Sequence, residues 1–315
     1  MEEIIYPDNI KNNFLQVIQN NIGKIEKTFH LNVALRGNKI MFDGDHRYKK
    51  NFKEYINHIL QYSKDHHTMN ESDLDMSLSM IREGNIESIK TELGKKIKIK
   101  ILGKEIYPRT FNQKKYLKAI SKNDLVFGIG PAGTGKTYLA ITMALQYLLN
   151  KKVERIVVTR PVVEAGEKLG FLPGDIQQKV NPYFRPIYDA LYNIIGFEKT
   201  GELIEKEIIE IAPLAYMRGR TIDNAFLLLD EGQNTLNSQM KMFLTRFGQN
   251  SKVVVTADVS QIDLPDPKKS GIFTVIKILK NIEGIKVINL TARDVVRHPL
   301  VQRIIEAYEG KKDDV

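Results

Sequence analysis

The chain has 315 residues and a formal charge of +9, from 47 Lys and Arg against 38 Asp and Glu, with 42% hydrophobic residues and no Cys. That length admits one large domain or two unequal ones of roughly 100–200 residues each, and the lack of Cys excludes disulfides and thiolate-bound metals and fits a reducing compartment. No apolar run reaches the roughly 18–20 residues that span a bilayer, and the opening Met1-Glu2-Glu3-Ile4-Ile5 lacks the apolar segment of a secretory signal, so a cytoplasmic protein without a membrane partner is expected.

Residues 1–85 are expected to form a small α+β domain. Helical spacing of apolar residues covers Ile10–Gln19 and Lys49–Tyr62, and strands are predicted at His30–Arg36 and Lys39–Phe42 around a Gly37-Asn38 turn. This α-β-β-α order is KH-like, yet the GxxG loop that clamps nucleic acid in KH domains is not evident near Gly23. An RNA-binding module and a structural or oligomerisation module both fit. The polar, acidic stretch from His66 to Glu83 reads as an exposed helix or linker.

Residues 86–109 read as a basic linker or hairpin arm. Lys96-Ile97-Lys98-Ile99-Lys100-Ile101 alternates strictly, which puts three lysines on one face of a strand and three isoleucines on the other. Gly103 permits a return through Glu105-Ile106-Tyr107. From Lys95 to Ile120 nine basic residues stand against Glu105 alone. Such a patch suits a polyphosphate backbone through counterion release, or is a solvated face that aids solubility.

From residue 110 to 315 strands alternate with helices. Short apolar strands are predicted at Leu125–Ile129, Arg155–Thr159, Phe226–Leu229, Lys252–Thr256 and Lys286–Leu290, and helices at Lys136–Leu149, Ser238–Phe247, Gly271–Leu279 and Asp294–Tyr308. Continuous apolar strands point to a parallel sheet covered on both faces, hence an α/β, doubly wound core. The stretch from Arg160 to Asn224 is too long for a bare loop. Pro161, Pro173, Pro182 and Pro186 punctuate its first half, and Glu202–Ile211 reads as a helix. Its Arg160, Lys168, Lys179, Tyr183, Phe184 and Arg185 interleave cations with aromatics, which suits single-stranded nucleic acid or is packing plus surface charge.

Gly130-Pro131-Ala132-Gly133-Thr134-Gly135-Lys136-Thr137 fits the phosphate-binding pattern G-x-x-x-x-G-K-[ST], after a strand and at the start of a helix. Inward-turned backbone N–H groups and the helix N-terminus favour phosphate there. Lys136 is expected on the β/γ-phosphates and Thr137 on Mg2+. The Leu-rich run ending in Asp230-Glu231 supplies a carboxylate for the metal, Asp230, and a base for the attacking water, Glu231. Asp258 and Gln261 follow the next strand, placed either for the γ-phosphate or in a simple turn. No Asn-Lys-x-Asp guanine motif occurs, so ATP is expected over GTP.

Five further groups of residues share one order with a known family. Gly130–Ala140, Arg160-Pro161 with the segment from Gly166 to Gly174, Arg218-Gly219-Arg220-Thr221, Asp230-Glu231-Gly232-Gln233-Asn234 and the segment from Asp294 to Val301 together resemble the PhoH-like ATPases, from about Thr110 to Tyr308. The family usually has Ala where Gly232 stands and Gly where Ala257 stands. The resemblance implies a RecA-like core, an adenine contact from Gln113, and γ-phosphate sensing by Gln261. It also implies RNA metabolism, a homo-oligomeric ring and an endoribonuclease partner in ribosomal RNA maturation.

Three activities share these motifs: an RNA-stimulated ATPase with helicase or remodelling action, a nucleotide-gated binding switch, and a small-molecule kinase. Glu231 disfavours the kinase, because a base aimed at water wastes ATP. Phosphoryl transfer also calls for a cation at the γ-phosphate. Arg293 and Arg297 are the first candidates for an arginine finger given across a subunit boundary, and Arg218 and Arg220 the second. Either pair also fits helix capping or RNA contact.

Overall fold

The computed structural model describes residues 1–7, 12–64, 69, 71–94, 97–161, 176–296, 300–301 and 304. The chain divides into two compact units, one of Met1–Lys98 with Tyr107–Lys114 and one of Ile99–Ile106 with Lys115–Val315.

In the first unit β1 (Glu2–Ile5), β2 (Leu31–Arg36) and β3 (Lys39–Gly44) form an antiparallel sheet in the order β1-β3-β2. The Gly37-Asn38 turn sets the register, Arg36 opposite Lys39 and Val33 opposite Phe42. Helices α1 (Asn12–Asn20), α2 (Ile22–Phe29), α3 (His46–Lys64), α4 (Glu71–Arg82) and α5 (Ile89–Gly94) complete the unit. Its core is aromatic: Phe52 lies 5.2 Å from Phe29 and 4.9 Å from Phe42 between ring centroids.

Three features of this unit differ from the sequence expectation. Strand β1 and helix α2 are additional, giving β-α-α-β-β-α where α-β-β-α was expected. Helix α4 is not exposed. Leu74, Met76, Leu78 and Met80 are buried in it, as are Ser77 and Ser79. The serines make the stretch look polar, but their hydroxyls have partners inside the core: Ser77 shares a 2.9 Å hydrogen bond with Tyr55 and donates to the Leu74 carbonyl at 2.8 Å. Lys114 likewise leaves the expected basic patch, since it is buried and paired with Glu92 at 3.0 Å.

The second unit opens with the hairpin of β4 (Ile99–Ile101) and β5 (Lys104–Ile106), where Ile99 and Ile101 are buried and Lys100 is exposed. This is the alternation expected of the arm; Lys95 and Lys96 lie outside the described residues. Helix α6 (Phe111–Lys122) leads into a six-stranded sheet. The sheet order is β11-β6-β10-β9-β7-β8, from β6 (Leu125–Ile129), β7 (Arg155–Arg160), β8 (Ile209–Pro213), β9 (Ala225–Leu229), β10 (Lys252–Ala257) and β11 (Ile285–Asn289). Every pairing is parallel. Every residue of β6, β9 and β10 is buried, as a strand covered on both faces requires. The crossover helices are α7 (Lys136–Leu149), α8 (Ile176–Ile195), α9 (Phe197–Glu205), α10 (Asn237–Leu244) and α11 (Gly271–Leu279). The architecture is a RecA-like α/β P-loop NTPase core.

The helix expected at Glu202–Ile211 is corrected. It ends at Glu205, Glu207 takes a left-handed φ of 56°, and Ile209–Pro213 becomes an edge strand paired with β7. Pro182 and Pro186 do not break the chain into loops, because both sit inside α8. The helix expected from Asp294 does not start there: Ala292–Asp294 is a 3-10 turn capped by Thr291. The segment 166–174 and Arg297 lie outside the described residues. Among the described residues no helix is long and apolar enough to cross a membrane.

Candidate nucleotide site

The parallel register brings the C-terminal ends of β6, β10 and β9 side by side, and each end carries one part of the site. At the end of β6 the chain turns through the loop from Gly130 to Gly135 into α7. Gly130 passes so close to the neighbouring chain that a Cβ there would lie 2.4 Å from the Leu290 carbonyl oxygen. Gly135, the residue before α7, takes φ 79°, ψ 12°, a left-handed turn that costs glycine nothing. The first-turn N–H groups of α7 are therefore left facing the loop's concave side.

Lys136 is buried, and its Nζ donates to the carbonyls of Gly130 at 2.5 Å and Pro131 at 2.9 Å. Burial pulls its pKa below the usual lysine value, while Asp258, Glu231 and Asp230 act in the opposite sense. A buried ammonium held only by carbonyl oxygens and facing three acids is matched to an anion of higher charge.

Asp230 follows β9. Its Oδ1 accepts from Thr137 Oγ1 at 2.7 Å and from Thr256 Oγ1 at 2.5 Å. The register that pairs Val255 with Leu229 puts Thr256 beside Asp230. Two hydroxyls and a carboxylate converging at the foot of a phosphate loop are hard oxygen donors, and they fit Mg2+ held by Thr137 with Asp230 behind it.

Glu231 adopts φ 55°, ψ 40°, an unusual left-handed conformation for a residue with a Cβ. Its Oε2 accepts from Gln233 Nε2, and its Oε1 lies 3.1 Å from Arg160 Nη2. Burial raises the Glu231 pKa above the usual value, with Asp230 adding to the rise and Gln233, Arg160 and Lys136 opposing it. That is the environment of a general base rather than of a surface acid.

Gln233 also joins the two strand ends. Its Nε2 donates to the Gln261 carbonyl at 3.0 Å, and its Oε1 accepts from Asp258 N at 2.9 Å. A cleft of about 250 Å3 results, lined by Ala132, Gly133, Gly135, Lys136, Thr137, Asp230, Glu231 and Gln261 among others. Those eight predicted residues are thus brought together; Pro131 and Thr134 complete the loop by a 2.9 Å hydrogen bond from the Thr134 hydroxyl to the Pro131 carbonyl.

The remaining predicted residues lie elsewhere. Gln113 belongs to the first unit, where its Oε1 accepts from Arg109 N at 2.7 Å. Arg293 is exposed on the 3-10 turn after β11. Two residues on, Val296 N donates to the Gly133 carbonyl at 3.0 Å and ties that segment to the phosphate loop. Arg220 is engaged in a two-pronged ion pair with Glu210, at 2.5 and 2.7 Å, which holds its guanidinium on β8. Thr256, Arg160 and Gln233 were not predicted as parts of the site. Thr256 carried a faint signal, a hydroxyl after three valines; Arg160 stood out only within a family segment and among cations suited to nucleic acid, because its partner is 71 residues distant in sequence.

The family model described as "PhoH-like protein" matches residues 105–309. A "PhoH-like protein" of Bacillus subtilis (strain 168) is 48% identical over 285 residues, covering 90% of this chain and 89% of the relative. A "PhoH-like protein" of Synechocystis sp. is also 48% identical over 285 residues, covering 89% and 86%. "Protein PhoH" of Escherichia coli (strain K12) is 43% identical over 232 residues, covering 73% of this chain and 64% of that protein.

Proposed function

The chain belongs to the PhoH-like family, and on that footing we propose that it hydrolyses Mg·ATP in the cleft between Lys136 and Glu231, in the service of RNA metabolism. The observation that carries the reading is the convergence of Thr137, Asp230 and Thr256 beside Lys136, with a half-buried carboxylate of raised pKa at Glu231. Lys136 leaves its two loop carbonyls for the β/γ-phosphates and cancels their charge. The α7 N-terminus and loop N–H groups hold the remaining phosphate oxygens. Mg2+, when bound at Thr137 and Asp230, neutralises charge that builds during phosphoryl transfer. Glu231 orients the attacking water and takes its proton, for which it must be ionised. Gln261 lines the same cleft and reports the γ-phosphate to the loop that carries it.

RNA as the polymer served is supported by family membership and by the exposed Lys100 of the hairpin. The ring assembly and the endoribonuclease partner belong to the same reading. A nucleotide-gated switch without motor action is the second reading, in which slow hydrolysis only resets affinity for a partner.

Turnover of ATP, with and without Mg2+ and single-stranded RNA, tests the proposal. Lys136→Ala is expected to weaken nucleotide binding. Glu231→Gln is expected to keep binding and lose about 10²-fold or more in turnover, the usual worth of a general base. Equal loss of binding in both variants would defeat this division of roles. RNA stimulation favours the motor; nucleotide-dependent capture of a partner without stimulation favours the switch.

A further inference from the structure

Arg160, the last residue of β7, holds two elements at once. Its Nη2 pairs with Glu231 Oε1, and its Nη1 donates at 2.7 Å to the main-chain carbonyl of Tyr183 on α8. The side chains of the ion pair are 19% and 31% exposed, so solvent screens it only in part. A chamber of about 440 Å3 opens beside this contact, lined by Thr137, Tyr138, Arg160, Ala190, Asn193 and Glu231 among others. It adjoins the nucleotide cleft on the side of the hydrolytic carboxylate, and one of its walls is α8.

We propose that Arg160 is a positioning residue for hydrolysis, one that aims the Glu231 carboxylate and makes that aim depend on the place of α8. The proposal rests on the reading of Glu231 as the base. The guanidinium fork is what permits the double hold; a lysine ammonium is a point charge that cannot present two rigidly spaced donors. A shift of α8 against β7 then reaches Glu231 without the moving part touching nucleotide.

The test compares kcat and KM for Mg·ATP in the full chain, in Arg160→Gln and in Arg160→Lys, with Glu231→Gln as control. In Arg160→Gln, kcat is expected to fall about tenfold and KM to stay within about threefold. Arg160→Lys is expected to recover only part of kcat. If Glu231→Gln still turns over, the base assignment fails, and the role of Arg160 with it. If Glu231→Gln is inactive but Arg160→Gln leaves kcat in place, the base stands and the positioning role is wrong. A change carried wholly by KM would likewise reject it. Should Arg160→Gln not fold, Arg160→Lys decides alone, since wild-type kcat in that variant means that the fork is not used.

Discussion

At the scale of single residues the site trades stability for chemistry. Glu231 combines a left-handed backbone, a half-buried carboxylate and an adjacent acid, and each of these costs the folded state something. The sign of the resulting pH dependence follows from the raised pKa. A carboxyl that binds its proton more tightly when folded contributes stability below its unfolded pKa, and loses that contribution as pH rises through the folded value. Glutamine mimics the protonated form. Glu231→Gln is therefore expected to melt higher than the wild type near neutral pH, with the gap closing as pH falls toward about 4. Thermal melts at several pH values check this; a variant that is less stable than wild type at neutral pH would show that the ion pair with Arg160 outweighs burial. Gln233 is as instructive. Sequence reasoning assigned a role to the side chain of Gln261 and none to Gln233, yet Gln233 holds the Gln261 carbonyl and the Asp258 N–H and so fixes the end of β10 against β9.

At the scale of elements, legibility followed the range of the information. The strands β6, β9 and β10 were visible because uninterrupted apolar runs have one structural meaning in an alternating α/β chain, and the phosphate loop because its glycines and Lys136 are contiguous. The partners of Glu231 were not visible, since Arg160 reaches it through sheet order, and sheet order has no local signature. One edge strand was missed for a related cause. Strand β8 pairs on one side only, and its buried Ile209 and Ala212 stand three residues apart, as on a helix, so it resembled the tail of the preceding helix. Helix α4 was misread because its serines counted as polar, although Ser77 and Ser79 are buried and satisfied. The correction has a direct check. Leu74→Ala in the middle of α4 is expected to destabilise the protein by about 2–5 kcal/mol, the range for a large-to-small change at a fully buried site. Glu71→Ala on the exposed first turn is expected to stay within about 0.5 kcal/mol. Similar, small effects for both in denaturant unfolding would restore the exposed helix.

At the scale of the whole molecule the question is where the last positive charge comes from. Phosphoryl transfer gathers negative charge on the γ-phosphate oxygens, and an arginine placed there is worth roughly 10³–10⁵ in rate. Within the described cleft Lys136 lies against the carbonyls of the phosphate loop, while Arg160 faces Glu231. Arg220 is committed to Glu210. Arg293 is therefore the leading candidate among the described residues, with Arg297 beyond them. The segment that carries Arg293 is anchored to the phosphate loop of its own chain through Val296 and Gly133, which leaves two geometries. The arginine serves its own site, or it projects from an anchored base into the site of a neighbouring copy. We expect the second, because Arg293 is exposed on its turn and does not line the cleft of its own chain. The two are separated by mixing Arg293→Ala with Glu231→Gln, each expected to be inactive alone. If the arginine acts across a subunit boundary, mixed assemblies regain turnover at sites that combine an intact Glu231 from one chain with an intact Arg293 from the next. If it acts within its own chain, every site in the mixture lacks one group or the other and no activity returns, even when labelled subunits are seen to exchange. The same mixture made with Arg297→Ala extends the choice to the second arginine, and failure of both pairs under demonstrated exchange places the finger outside this segment.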